Sequence, residues 1–238
     1  MLAKKITSLQ HPLVEHWLRL RLEKSYREET QRVLISGKKM IEELPVQRLI
    51  TLAPHPEIGC KDQILVTEPI LKKITDLPSP DGFAAEVFLP PEQDLKKRRR
   101  LLILDQIQDP GNLGTLARTA LGLSWEGVIL TDGCVDFFND KALRAGRGAQ
   151  FHLPYRRMSE EEIASFGLFL YTADLKGTPL EDLQTKEPLG LILSHEGRGV
   201  QSWSSSIAKK ITIPMSSLVD SLNVAASGAI LMYQMRKR

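Results

Sequence analysis

Three separated groups of residues in this chain have the types and spacing of a ligand-binding or reactive site. They are Asp109-Pro110-Gly111-Asn112 with Arg118, then Ser194-His195-Glu196-Gly197-Arg198-Gly199, then Ile213-Pro214-Met215 leading to Ser221-Leu222-Asn223-Val224. In the first group, Asp109-Pro110-Gly111 forms a turn and Asn112 is suited to cap a helix. Backbone amides at the start of that helix can face an anion. Arg118 lies less than two helical turns after Asn112, where a guanidinium can grip a phosphate through two hydrogen bonds. The chain has no GK[ST] triphosphate loop and no GxGxxG fingerprint, which argues against a kinase, a GTPase or a dehydrogenase. In the second group, Gly197 and Gly199 permit close backbone approach to a ligand. Glu196 could bind a hydroxyl, orient a base or pair with Arg198. His195 could act as a base near neutrality or serve structure. In the third, Pro214 stops a strand, Ser221 or Asp220 can cap the last helix, and the Asn223 amide in its first turn can reach into a site.

These groups need a framework that holds them at one edge. The second part of the chain alternates between apolar strands and helices. Strands are expected at residues 101–105, 127–131, 168–172, 189–194 and 210–213, and helices at 112–123, 141–145, 159–165 and 222–235. That rhythm predicts a mostly parallel sheet covered on both faces. The three groups then follow carboxyl ends of strands, where open α/β sheets bind ligands. The small residues Ala225, Ala226, Gly228 and Ala229 of the last helix fit either close packing on the sheet or a subunit interface.

The first part reads as a smaller α/β module. Helices are expected at 12–22, 38–44 and 69–75, and strands at 32–35, 49–52, 64–66 and 82–89. Leu89-Pro90-Pro91 interrupts regular structure, and the basic run Lys96-Lys97-Arg98-Arg99-Arg100 follows. A domain break is placed there, with residues 1–92 as one domain, 93–100 as a basic linker and 101–238 as the second domain.

The 238 residues are 42% apolar and 26% charged, as in an ordinary globular protein. A net charge of +3 permits a nucleic-acid partner without requiring one. Cys60 and Cys134 have no metal-type spacing and point to a reducing compartment. The five histidines form no cluster, so no metal is expected. The N-terminus is not a secretory signal. Leu222 to Met235 is too short an apolar stretch to span a bilayer, and no membrane role is expected.

Together the three groups resemble the SpoU/TrmH-type RNA ribose methyltransferases of the SPOUT superfamily. That family carries a DPxNxGxxxR-like, an NEGxG-like and an IPM…SLNV-like motif. The matches here are Asp109, Pro110, Asn112, Gly114 and Arg118; Glu196, Gly197 and Gly199; and Ile213, Pro214, Met215, Ser221, Leu222, Asn223 and Val224. Residues 133–136 and 141–145 are also similar. At the start, residues 7–13 with Arg27-Glu28 resemble the family's ribosomal-protein-like RNA-binding domain. The chain departs from the pattern at Ser194-His195, where Gly-Asn is usual, at Ser217 for glycine, at His11 for asparagine and at Gly146-Arg147.

The resemblance implies an N-terminal ribosomal-protein-like α/β RNA-binding domain and a C-terminal SPOUT parallel-sheet domain with a deep trefoil knot. It implies transfer of a methyl group from S-adenosyl-L-methionine to a ribose 2′-hydroxyl, without a metal. Arg118 is then the leading catalytic residue, helped by Asn112, Glu196, Ser221 and Asn223. Ser194, Glu196, Gly199, Ile213, Met215 and Leu222 are the expected cofactor-binding residues. Arginine stays protonated near neutrality, so positioning phosphate and ribose suits Arg118 better than acting as the base. The expected partners are structured RNA, with ribosomal RNA of the 23S type favoured over transfer RNA, and a second copy of the chain in a cytoplasmic homodimer. The alternatives are a tRNA ribose 2′-O-methyltransferase and a non-catalytic RNA-binding or ribosome-assembly protein that keeps the fold.

Overall fold

The computed structural model describes residues 4–195 and 201–236. The chain divides into two units, Met1–Pro91 with Phe138–Asp140, and Glu92–Phe137 with Lys141–Arg238.

In the first unit the elements are β1 (Lys4–Ile6), α1 (Pro12–Leu22), α2 (Lys24–Thr30), β2 (Arg32–Ser36), α3 (Lys38–Glu42), β3 (Val46–Thr51), β4 (Cys60–Val66), α4 (Glu68–Thr75) and β5 (Phe83–Phe88). The sheet order is β1-β4-β3-β5-β2, with β1, β4 and β3 parallel and β5 antiparallel to both β3 and β2. Helix α1 begins at Pro12, whose fixed φ and missing N–H suit the first helical turn. The His11 ring takes the capping place: its Nδ1 accepts from Leu13 N at 3.1 Å. An asparagine oxygen would do the same, which explains how histidine is accommodated there. Trp17, Leu20, Ile50, Ile64, Ile70 and Ile74 form the core. Arg27 is buried and structural, because its Nη1 donates to the Leu20 and Arg21 carbonyls at 2.7 and 2.8 Å and so satisfies the end of α1.

A buried carboxylate ties this unit together. Glu86 accepts from Trp17 Nε1 at 2.5 Å and from Arg48 Nη1 at 2.6 Å, and His16 Nε2 lies 3.5 Å away. Burial alone would raise its pKa. The hydrogen bonds from His16, Trp17 and Arg48, with the Arg48 charge, outweigh this and hold it below the usual glutamate range.

The second unit contains β6 (Arg100–Asp105), α5 (Pro110–Gly122), β7 (Gly127–Leu130), α6 (Asp140–Gly146), β8 (Tyr155–Arg157), α7 (Glu160–Ala164), β9 (Phe169–Pro179), β10 (Leu189–Ser194), α8 (Ser202–Ile207), β11 (Lys209–Thr212) and α9 (Val224–Gln234). Its sheet runs β11-β9-β10-β6-β7-β8, and every pairing is parallel. Parallel strands buried on both faces are continuously apolar, as Leu101-Leu102-Ile103-Leu104 is. Ile103, Ile129 and Ile192 pack on one face with Ile163 of α7 and Trp203 of α8. On the other face, a Cβ on Gly228 of α9 would lie 2.7 Å from Leu193 Cδ1 and would overlap Leu116. The small-residue stripe of the last helix is thus used, at Gly228, for close packing. Residues 93–100 pack onto this unit: Gln93 N donates to Tyr155 O at 3.0 Å, Leu95 is fully buried, and Arg99 pairs with Glu187 at 2.9 Å.

From β6 the chain lays down β7 and β8 on one side, then returns to place β10 and β9 on the other. The strand order therefore switches between β6 and β10, and a doubly wound sheet opens its binding crevice at such a point.

Candidate active site

The carboxyl ends of β6 and β10 meet in register, Ser194 opposite Asp105. Asp105 is fully buried. Its two carboxylate oxygens accept from Ser194 Oγ and from Thr131 Oγ1, each at 3.0 Å. Thr131 Oγ1 in turn accepts from Gln106 N at 3.1 Å. One buried carboxylate therefore fixes the ends of β6 and β10 and the residue after β7. Serine at position 194 is accommodated because its hydroxyl has this acceptor.

The next loop starts α5. The N-cap is Asp109, not Asn112 as the sequence reading placed it: Asp109 Oδ1 accepts from Asn112 N at 2.7 Å. The physical reason is Pro110, which occupies the first helical turn and leaves the preceding residue as the cap. The Asn112 side chain is thereby released for another contact. Its Oδ1 accepts from Asn223 Nδ2 at 3.0 Å. Asn223 is itself the N-cap of α9, a place expected for Ser221 or Asp220, and its Oδ1 accepts from Ala225 N at 2.9 Å and Ala226 N at 3.4 Å. Each asparagine thus joins a helix start to the other motif. Gly114 also has a steric task, since a Cβ there would overlap the Ala142 carbonyl oxygen and approach Gly146 N to 2.8 Å. Arg118 is exposed on α5.

A cavity of about 410 Å³ lies beside the ends of β10 and β11 and the second half of β9. Ser194, Ile213, Met215, Leu222 and Ser221, all predicted site residues, line it. Asn112, Asn223 and Arg118 are not in its wall, although Asn223 stands between two lining residues, Leu222 and Val224. Glu196 and Gly199 lie outside the described residues.

Sequence reasoning missed Asp174, Lys176 and Lys210, which also line the cavity. Lys210 Nζ is 2.9 Å from Asp174 Oδ2. The Lys176 amide, then the Lys210 ammonium, hold the Asp174 carboxyl below its usual range. The available signal was a charge, Asp174, two residues after the buried run Leu170–Thr172.

The wall suits S-adenosylmethionine. Leu193, Ile211, Ile213 and Leu222 offer apolar surface to a flat purine, while Ser194, Asp174, Lys210 and Ser221 offer partners for ribose hydroxyls and a zwitterionic amino acid. Its volume falls in the usual range of small-molecule sites. Among the described residues, no group of three or more His, Cys, Asp or Glu could hold a metal ion, and no helix is long and apolar enough to cross a membrane.

Comparison with known proteins agrees with this geometry. A protein of Bacillus subtilis named 23S rRNA (guanosine(2553)-2′-O)-methyltransferase RlmP is 32% identical over 252 residues, covering 98% of this chain and 99% of the relative. The structure of an rRNA methyltransferase from Sinorhizobium meliloti with AdoMet bound matches with a TM-score of 0.85 at 25% identity, covering 98% of this chain and 97% of that one. A TrmH-family structure from Porphyromonas gingivalis gives 0.82 at 28% identity, covering 96% and 98% of the two chains. The SpoU rRNA methylase family model matches residues 99–233, the segment that holds all three motifs and the residues of the cavity wall, and the chain belongs to that family.

Proposed function

We propose that this protein methylates a ribose 2′-hydroxyl of 23S ribosomal RNA, using S-adenosylmethionine as methyl donor. The supporting observation is that the ends of β6 and β10 meet in register and Asn112 of the first motif bonds Asn223 of the third, beside a cavity whose wall fits that donor. Membership of the family and the substrate in the name of the B. subtilis relative favour ribosomal RNA.

The donor supplies a methyl group already activated by its sulfonium, so the protein's task is alignment and assistance to proton loss. Ser194, Ile213, Met215 and Leu222, with Glu196 and Gly199 of the adjoining loop, hold the donor. Arg118 grips a phosphate beside the target ribose and orients its hydroxyl. Asn112 and Asn223 lock the first and third motifs together, and Ser221 with Glu196 provides polar contacts near the reacting hydroxyl.

Residues 1–92 act as the RNA substrate-binding domain and residues 101–238 as the methyltransferase domain, with 93–100 between them. The C-terminal segment passes through a loop to form the family's trefoil knot. Leu121, Leu218, Val219, Ile230 and Tyr233 leave apolar surface exposed on the second unit, which supports a homodimer through this unit. The protein works in the cytoplasm.

Calorimetric titration with S-adenosylmethionine tests this reading. Saturable binding at one site per chain is expected. Absence of binding both alone and with 23S ribosomal RNA present contradicts it.

A further inference from the structure

Helix α6 ends in a Schellman turn: Gly148 N donates to Leu143 O and Arg147 N donates to Arg144 O, both at 3.2 Å. The left-handed residue such a turn requires is usually glycine. Here it is Arg147, with φ at +48°. A residue with a β-carbon is strained in that conformation, and only the Arg147 backbone amide serves the turn.

The turn sits against α5 at a defined point. A Cβ on Gly114 would lie 2.8 Å from Gly146 N and 2.9 Å from Ala145 Cβ. Arg147 follows Gly146 directly, and Arg118 follows Gly114 by one helical turn. Both arginines are exposed. Each helix of this contact thus carries an exposed arginine close in sequence to the touching residues. A cation at a helix end also complements the helix dipole. That effect accounts for a charge near the end of α6, but does not require it at the left-handed position; the left-handed helix ends at Gln31 and Asp76 carry no cation there.

We propose that Arg147 binds the RNA backbone, taking a phosphodiester adjacent to the one gripped by Arg118 and fixing the strand beside the target ribose. This rests on the proposed methyl transfer to RNA. The residue acts on RNA affinity and register, and leaves the donor cavity untouched.

The test compares wild type with Arg147→Gly and Arg147→Lys. Protein-free 23S ribosomal RNA is the probe for binding over a salt series and for methyl-transfer kinetics, alongside thermal melts and donor titrations. Arg147→Gly is expected to melt no lower than wild type. Its log–log salt slope should fall by about one unit and its RNA KM should rise about tenfold, with donor affinity and kcat at saturating RNA held. Arg147→Lys should keep the slope but lose about threefold in affinity, because an ammonium lacks the planar fork. An unchanged slope and RNA KM in Arg147→Gly overturns the proposal. So does a fall in RNA affinity that comes with a lower melting temperature and weaker donor binding. If the slope difference between wild type and Arg147→Gly is found but wild type methylates nothing, the proposed activity fails while the contact stands.

Discussion

Replacing Ser194 with alanine removes the hydroxyl that donates to Asp105 Oδ2 at 3.0 Å. Asp105 is fully buried, and its other oxygen already accepts from Thr131. Asp105 Oδ2 then loses that donor. Leaving a buried acceptor without its hydrogen bond costs about 1–3 kcal/mol. For a chain of this length a loss near ~2 kcal/mol lowers Tm by about 4–8 °C. The strand end that forms one wall of the donor cavity loses its anchor in the same step. Re-ordering a residue there on binding costs about 1–2 kcal/mol, which corresponds to a rise of roughly tenfold in the donor Kd. Thermal melts and calorimetry on Ser194→Ala and Ser194→Thr read both effects. The threonine variant keeps a hydroxyl and should retain most of the affinity. If Ser194→Ala binds the donor as wild type does and melts within a degree of it, the hydroxyl–carboxylate contact does not hold the wall.

Asn223 has two separable tasks. Asn223→Asp keeps the oxygen that caps α9 but loses the amide donor to Asn112, so it should stay within about 0.5 kcal/mol of wild-type stability while methyl transfer falls at least tenfold; Asn223→Ala should also lose about 1 kcal/mol, as chemical denaturation would show. Glu86 is held below the usual glutamate range, so its stabilisation is complete above the unfolded-state pKa and disappears as pH falls through the lower folded value. The first unit should therefore lose stability below about pH 4, and Glu86→Gln should flatten that dependence in melts followed by Trp17 fluorescence. A variant with the same acid limb as wild type would remove Glu86 as its cause.

The alternation of apolar strands and helices made the parallel sheet of the second unit legible, because buried parallel strands such as Leu101–Leu104 leave a strong, unbroken apolar signal. Several elements gave no such signal. Helix α2 has a charged sequence without an apolar stripe, α8 is a run of serines around Trp203, and β8 is three residues with two arginines. Helix starts were ambiguous for a different reason. Asp109 and Asn112, or Ser221 and Asn223, are all competent caps, and side-chain chemistry alone cannot choose between them. For α5 the choice was readable from Pro110; for α9 nothing nearby marked Asn223. The motif residues lining the cavity could be named from the sequence. The Asp105–Ser194–Thr131 contact and the Asp174–Lys210 pair could not, since each joins residues distant in the chain through strand register.

Ribose methylation mapped across 23S ribosomal RNA, in a strain lacking this gene, tests the proposed activity most directly. One 2′-O-methyl group should be missing from the deletion strain, restored by the wild-type gene and not by Arg118→Ala. Identical methylation maps with and without the gene would contradict it.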